Sequence, residues 1–271
     1  MAVIVLASAS GSPGVTATAV GLAAVWPRPV LLVDADPTGG SAILAGFFQG
    51  NVAAGGGLSE VALGSRRGDL AAAIAAAAVA LPGTSAHVLP GVSGHAVART
   101  MTDVWPALLG ELRALDVTGQ DVLIDAGRLG LSGSPEPLIY GADAALLVTG
   151  SSLVALAATR SWAGTWRATF EDIGAGATTP AVLVVGPGRP YGLREIGSVL
   201  EVAMLGSLPW DPAAAAVFSA GAHPGRRFTR GPLMRGLRDV QEAISARIAR
   251  QGADLGEEEA AAMVHPEEAG G

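Results

Sequence analysis

Residues 8–23 read SASGSPGVTATAVGLA and follow directly on an apolar run, VIVLA. Gly11, Gly14 and Thr16 are typical of a loop that binds phosphate through backbone N–H groups at the start of a helix. Lysine normally precedes that threonine, and Val15 stands in its place. Glycine also serves tight strand-to-helix turns for steric reasons, so the loop alone is a weak signal. Its meaning depends on the rest of the chain.

The composition limits the class of protein. The chain has 271 residues, of which 50% are apolar, enough for one α/β domain or two small ones. The absence of cysteine excludes a disulfide framework, a thiolate metal site and a cysteine nucleophile. All 17 basic residues are arginine, so no lysine in the chain can reach a phosphate. The N-terminal apolar run has no basic residue before it, and no apolar stretch is long enough to span a bilayer. We therefore expect a cytoplasmic protein.

Apolar, β-prone runs alternate with stretches that are mostly long enough to be helices. The runs are short and continuous, as expected of strands buried on both faces. This order predicts an α/β fold with a doubly wound, mostly parallel sheet of about seven strands and helices on both faces. Strands are predicted at residues 3–6, 30–33, 87–89, 122–124, 144–148, 181–185 and 204–208. Helices are predicted at residues 16–25, 70–80, 104–115, 153–170 and 193–202.

A last helix is predicted over residues 232–250. Its apolar residues recur at helical spacing, which favours packing on the sheet with the arginines in solvent. A basic amphipathic helix can also contact an anionic membrane or a partner. The last twenty residues hold six of the 24 acidic residues and no arginine, which leaves 17 arginines against 18 acids before them. We expect one domain over residues 1–250 and a disordered acidic tail over residues 251–271.

Carboxylates stand at the ends of two predicted strands. The stretch VLLVDADPTGGS (30–41) carries Asp34 and Asp36, and DVLIDAG (121–127) carries Asp125. The carboxyl ends of parallel strands form the edge at which open α/β sheets bind ligands. Carboxylates beside a glycine loop suit a magnesium–nucleotide site, because one can hold the metal's water shell while another orients an attacking water.

Residues 10–40 resemble the ParA/MinD family of ATPases, whose deviant Walker A loop carries two lysines and is followed by a strand that ends in D-x-D-P. Ser10 stands at the first of these lysines and Val15 at the second. The other matches are Gly11, Ser12 and Gly14 at the glycines, Pro13 at the variable position, Thr16 at the metal-binding hydroxyl, Asp34 and Asp36 at the switch aspartates, Pro37 at the proline after them, and Asp125 at the Walker B aspartate.

The resemblance extends over nearly all of residues 1–250 and implies a P-loop NTPase-like site for ATP or ADP with Mg²⁺. The stretch MLGSLPWDPAAAAVFSAGAHP (204–224) resembles the family's closing strand and the loop against the nucleotide base. Asp36 would orient the attacking water in an active enzyme. The magnesium would be held, mostly through water, by Thr16, Asp34 and Asp125. The nucleotide would be bound by Gly11, Ser12, Gly14, Val15, Thr16, Ala17, Pro209 and Asp211.

The departures from the family pattern weaken the expected site. In the family, the first lysine is thought to reach the partner subunit's phosphates, and the second contacts the β- and γ-phosphates of its own subunit. Charge-assisted contacts are worth roughly 1.5–3 kcal/mol each, so uncharged Ser10 and Val15 should lower nucleotide affinity by a few orders of magnitude. Hydrolysis should fall further, because phosphoryl transfer depends on such charges. Gly186 and Pro187 also stand where the family often has Asn-Arg for the base.

Three functions fit these observations. The first is a degenerate ParA/MinD-like protein, for example of the CpaE/TadZ branch, that positions or scaffolds a pilus, secretion or partitioning machine with weak or absent ATP hydrolysis. The second is an active ATPase of chromosome partitioning or division-site placement. The third retains the fold for interaction alone. The resemblance implies a homodimer and a protein partner. Peripheral membrane contact through residues 232–250 is an option, and the nearly balanced charge of the body argues against DNA.

Overall fold

An eight-stranded sheet forms the centre of the protein in the computed structural model, which describes residues 1–52, 56–173 and 180–264. The order across the sheet is β3-β4-β2-β5-β1-β6-β7-β8, and all neighbours are parallel except β3 and β4. The strands are β1 (Val3–Ser8), β2 (Val30–Asp34), β3 (Val79–Ala80), β4 (Ala86–Leu89), β5 (Asp121–Arg128), β6 (Ala144–Gly150), β7 (Ala181–Val185) and β8 (Ala203–Leu208).

Helices cover both faces of the sheet, as the sequence predicts. One face carries α1, α9 and α10, and the other carries α2, α3 and α5 to α8. The helices are α1 (Val15–Val25), α2 (Leu58–Arg67), α3 (Leu70–Ala77), α4 (His95–Ala98), α5 (Trp105–Ala114), α6 (Glu136–Tyr140), α7 (Leu153–Asp172), α8 (Leu193–Leu200), α9 (Pro212–Ala220) and α10 (Pro232–Val264).

The two cores follow from the alternation of side chains along each strand. In β1, Val3 and Val5 pack on the face of α5 and α7, whereas Ile4 and Leu6 pack on the face of α1. Burial on both faces explains why the strands read as continuous apolar runs. The predicted fold class is confirmed, and each of the seven predicted strands is present.

The structure differs from the predicted elements at β3. The sequence predicts one helix over residues 70–80, but α3 ends at Ala77 and Val79 pairs with Val88 of β4. The Leu81 N–H then donates to the Ala86 carbonyl oxygen, which closes a short hairpin. The sequence does not reveal this change, because the run is rich in alanine and alanine favours the helix.

Residues after β8 also differ from the prediction of a loop. Asp211 caps α9 by accepting a hydrogen bond from the Ala214 N–H, and Pro212 occupies the first turn. Both features are typical helix starts.

The last helix packs on the sheet as predicted, with Leu237 and Ile244 buried, but it does not end at Arg250. It continues to Val264 through a stretch rich in alanine and glutamate, which are good helix formers. Residues 265–271 of the predicted tail lie outside the described residues. Among the helices that the structure describes, none has the length and apolarity needed to cross a membrane.

Candidate functional site

The loop between β1 and α1 has a backbone that depends on its glycines. Gly11 and Gly14 have φ angles of 76° and 94°, and Ser12 between them has a φ of 49°. A Cβ atom added at either glycine would meet no atom of the described residues within 4 Å, so the space beside the loop is open. Among the described residues, no side chain caps the N-terminus of α1. The N–H groups of that turn therefore remain available to an anion, next to the positive end of the helix dipole.

Two of the predicted magnesium ligands are neighbours in the sheet. Asp34 ends β2 and pairs in register with Asp125 of β5, and the two residues are 2% and 0% exposed. Ser41 holds the Asp34 carboxylate by donating its hydroxyl at 2.6 Å. The Gly127 N–H donates to Oδ1 of Asp125 at 2.9 Å. Oδ2 of Asp125 is buried and accepts no hydrogen bond from the part of the chain that the structure describes.

Burial disfavours the ionised form of both carboxylates. It raises the pKa of Asp34 to about 6, although the hydrogen bond from Ser41 opposes this shift. Burial also raises the pKa of Asp125 to about 7, and the nearby charge of Asp34 adds to the shift. The Thr16 side chain and the Gly127 N–H act in the opposite direction on the Asp125 pKa. Two buried acids side by side favour the binding of a cation, because it offsets the cost of their buried negative charge.

Asp36 lies two residues beyond Asp34. Its Oδ1 accepts hydrogen bonds from the N–H and the hydroxyl of Thr38, at 2.9 and 2.8 Å. Its carboxylate packs against Gly127, where any side chain would clash with it. Asp36 is therefore held half-buried at the same edge of the sheet as Asp125.

The oxygen donors present fit magnesium rather than a softer metal. Thr16 offers a hydroxyl, and Asp34 and Asp125 offer carboxylates. A cation would satisfy the buried Oδ2 of Asp125, which the described residues leave without a hydrogen bond of ordinary length. Within the described residues, no three His, Cys, Asp or Glu side chains form a complete metal cage. Magnesium would therefore also need oxygens from water or phosphate, as it usually does in nucleotide sites.

A cavity of about 340 Å³ opens beside the loop. Its walls are mostly apolar, and Trp210 at its rim is 54% exposed. The guanidinium of Arg189 lies 5.2 Å from the centre of the Trp210 ring, which is a cation–π distance. The cavity brings together five of the residues predicted to bind a nucleotide: Ser12, Gly14, Ala17, Pro209 and Asp211.

The positions of the two absent lysines differ in environment. Ser10 is half-buried at the start of the loop. Val15 is only 6% exposed and packs in the core on the α1 face of the sheet. Val15 can thus contribute its backbone to the site, whereas its side chain serves the core.

Sequence reasoning missed several residues that shape the site. Ser41 carries no special signal at the end of its strand-and-turn stretch, yet it holds Asp34. Gly127 has a positive φ and contacts Asp36. The sequence indicates this position only by a glycine two residues after the aspartate at the end of the predicted strand. Trp210 and Arg189 carry no readable signal, because their contact joins two different loops.

The sequence matches no protein-family model and no curated protein. Solved structures, however, share its fold. A MinD cell division protein from Aquifex aeolicus is 18% identical, with a TM-score of 0.67, and the alignment covers 91% of this chain and 98% of that one. An McdA variant from Cyanothece, in complex with ATP, is 18% identical, with a TM-score of 0.69 and coverage of 90% and 96%. A ParA family ATPase from Chlorobium tepidum is 15% identical, with a TM-score of 0.65 and coverage of 90% and 98%. The chain therefore has the fold of the MinD and ParA ATPases, over nearly its whole length.

Proposed function

We propose that the protein binds ATP or ADP with Mg²⁺ weakly at the loop of residues 10–16 and acts as a positioning or scaffold factor, with little or no ATP hydrolysis. The observation that carries this proposal is the buried Oδ2 of Asp125, which accepts no hydrogen bond of ordinary length from the described residues, beside a loop whose backbone is open to an anion. A retained acceptor for a cation next to a retained site for phosphate is what a magnesium–nucleotide complex requires. The Cyanothece McdA neighbour was solved with ATP, which adds support for a nucleotide on this fold.

Each retained residue has a defined task in this proposal. The N–H groups at the start of α1 would bind phosphate oxygens, and Pro209 and Asp211 would line the place of the base. Thr16, Asp34 and Asp125 would hold the metal, mostly through water, and Asp36 would orient a water. When bound, Mg²⁺ supplies neutralisation of phosphate charge.

Hydrolysis is proposed to be weak because the charges that stabilise phosphoryl transfer are missing. The loop has no lysine, and the residue at the usual lysine position, Val15, has its side chain in the core. Two lost charge-assisted contacts at roughly 1.5–3 kcal/mol each correspond to a few orders of magnitude in binding and more in turnover.

The scaffold role is supported by the combination of a nucleotide-site loop with acidic residues and the absence of both lysines. A resemblance to the CpaE/TadZ branch implies this combination. Aquifex MinD has been solved in a complex with MinC, so this fold can carry a protein partner. We propose a homodimer that recruits such a partner. Exposed arginines before and within α10, among them Arg227 and Arg235, offer peripheral contact with an anionic membrane.

An active ATPase of partitioning or division-site placement is the alternative. The observation that favours it is the retention of Asp34, Asp36 and Asp125 at one edge of the sheet. Steady turnover comparable to that of ordinary partitioning ATPases would establish this second function instead.

The test is equilibrium binding of ATP and ADP by calorimetry, with Mg²⁺ or with EDTA, combined with a phosphate-release assay. We expect weak, magnesium-dependent binding, trace turnover, and loss of the magnesium dependence in Asp125→Asn. Asp172→Asn is the matched control, since Asp172 is exposed and ends α7, at the opposite edge of the sheet from the loop. Absence of nucleotide binding, or equal binding in EDTA, would overturn the proposal. Sedimentation with and without ATP tests the homodimer.

A further inference from the structure

Strand β5 contains an irregularity directly after Asp125. Leu6 of β1 pairs with Asp125, but Ser8 pairs with Arg128, so three steps along β5 match two steps along β1. Gly127 takes up the extra residue with a φ of 61°. Such bulges redirect the side chains that follow them and are frequent beside functional sites.

The bulge changes the face of the sheet on which Arg128 lies. Ala126 packs in the core on the α5 and α7 face, and regular alternation would place Arg128 on that face too. Arg128 instead pairs with Ser8. Leu6 packs on the face of α1, and Ser8, two residues further along β1, lies on the same face. Arg128 therefore also lies on the face of α1. Leu129 returns to the opposite core, which agrees with this assignment.

Arg128 thus stands beside Ser8, the last residue of β1 before the loop. The Leu129 N–H donates to the Ser8 carbonyl oxygen at 2.9 Å, which fixes the backbone of Arg128 against the end of β1. Its side chain is exposed. A side chain at this point is one strand away from the open space around Gly11.

The charge of Arg128 has no protein partner in the part of the chain that the structure describes. Two other arginines of the protein body, by contrast, are paired: Arg28 with Asp121, and Arg67 with Glu60. No ion pair or hydrogen bond involves the Arg128 guanidinium within residues 1–52, 56–173 and 180–264. A free cation lies at the edge of the sheet where buried acids and an open anion site meet.

We propose that Arg128 supplies the positive charge to the phosphates of a bound nucleoside di- or triphosphate, in place of the lysines absent at positions 10 and 15. This assignment rests on the proposed function, namely nucleotide binding at the loop. A guanidinium presents several donors in a fixed plane that matches phosphate oxygens, so it can serve this task from a neighbouring strand. The bulge at Gly127 is what brings it to the correct face.

The experiment compares the wild type with Arg128→Gln, Arg128→Lys and the control Arg66→Gln, an exposed arginine on α2. Binding of Mg·ATP, Mg·ADP and adenosine is measured by calorimetry, and urea unfolding verifies that each variant folds. We expect Arg128→Gln to weaken ATP and ADP binding by roughly tenfold to a hundredfold, the range of a charge-assisted contact. Arg128→Lys should recover part of the loss, and adenosine, which has no phosphate, should bind all variants alike.

Wild-type affinity for ATP and ADP in Arg128→Gln would overturn this assignment while leaving the proposed function intact. An equal loss for adenosine would also overturn it, because the effect would then be structural. If the wild type binds no nucleotide, both the proposed function and the role of Arg128 fail together.

Discussion

Asp34 and Asp125 stand at paired positions on adjacent parallel strands, and both carboxylates are buried. Their geometry holds two acids at the carboxyl edge of the sheet, the edge at which β1 leads into the glycine loop. Carboxylates buried at such a cost in free energy occur frequently at functional sites, where a cation can offset the cost. We therefore expect the stability and the nucleotide affinity of the protein to depend on pH, on magnesium and on substitutions at the two acids, the loop and Gly127.

The first prediction concerns pH and the stability of the protein without metal. The pKa values of Asp34 and Asp125 are raised to about 6 and about 7, above those of the unfolded chain. The folded state therefore binds more protons than the unfolded state between about pH 4 and 7. Stability from this pair is greatest at the acid end of that window and is lost as the pH rises through the folded values. In EDTA, Asp125→Asn should stabilise the protein at pH 8 by on the order of 2 kcal/mol, and less at pH 5.

Urea unfolding at pH 5 and pH 8 measures this difference, with Asp172→Asn as a control of equal chemistry at an exposed position. An Asp125→Asn variant that is less stable than the wild type at pH 8 would contradict the raised pKa of Asp125.

The second prediction concerns the metal. Mg·ADP should raise the thermal midpoint of the wild type, because a ligand that binds only the folded state stabilises it according to its concentration and affinity. ADP with EDTA should raise the midpoint less. Thermal unfolding followed by circular dichroism provides the measurement, and an equal rise with and without magnesium would show that the carboxylates do not hold the metal.

The third prediction concerns the missing lysine. In Val15→Lys, the alkyl stem can stay in the apolar environment of Val15 while the ammonium extends toward the loop. ATP binding should tighten by about tenfold, the lower part of the range for a charge-assisted contact. Val15→Met is the matched control, since it adds length without charge. Equal affinity of the Lys and Met variants by calorimetry would show that position 15 does not reach the phosphates.

The fourth prediction concerns Gly127. Gly127→Ala should destabilise the protein by about 3 kcal/mol, through its positive φ and its clash with the Asp36 carboxylate. Gly119 has a similar φ of 68° with no atom within 4 Å of an added Cβ, so Gly119→Ala isolates the backbone cost of about 1 kcal/mol. Urea midpoints of the two variants give the comparison. Equal destabilisation would mean that the contact with Asp36 contributes nothing.

The central part of the fold was predictable because its strands are buried on both faces and therefore read as apolar runs. β3 was not, since two residues in an alanine-rich stretch change from helix to strand only through pairing with β4. The carboxylates of Asp34 and Asp125 were found because each follows a strand directly. Their closeness in register depends on which strands are neighbours, and that order is a property of the folded sheet.

Site residues could be predicted where their spacing in the sequence indicates their role. They could not be predicted where the role depends on contacts between distant segments. Gly14 and Thr16 were read from their spacing, and both lie at the start of α1 as expected. The hydrogen bond from Ser41 to Asp34 and the bulge at Gly127 could not be read, because each depends on how the backbone turns after a strand. The orientation of Val15 toward the core likewise requires the packed helix.

The brevity of β3 has a consequence for self-association. It gives the β4 side of the sheet an outer strand of only Val79 and Ala80, and this strand runs antiparallel to its one neighbour, β4. An incoming chain finds too few free backbone groups there to extend the sheet. Copies of this protein are thus discouraged from joining strand to strand at that border.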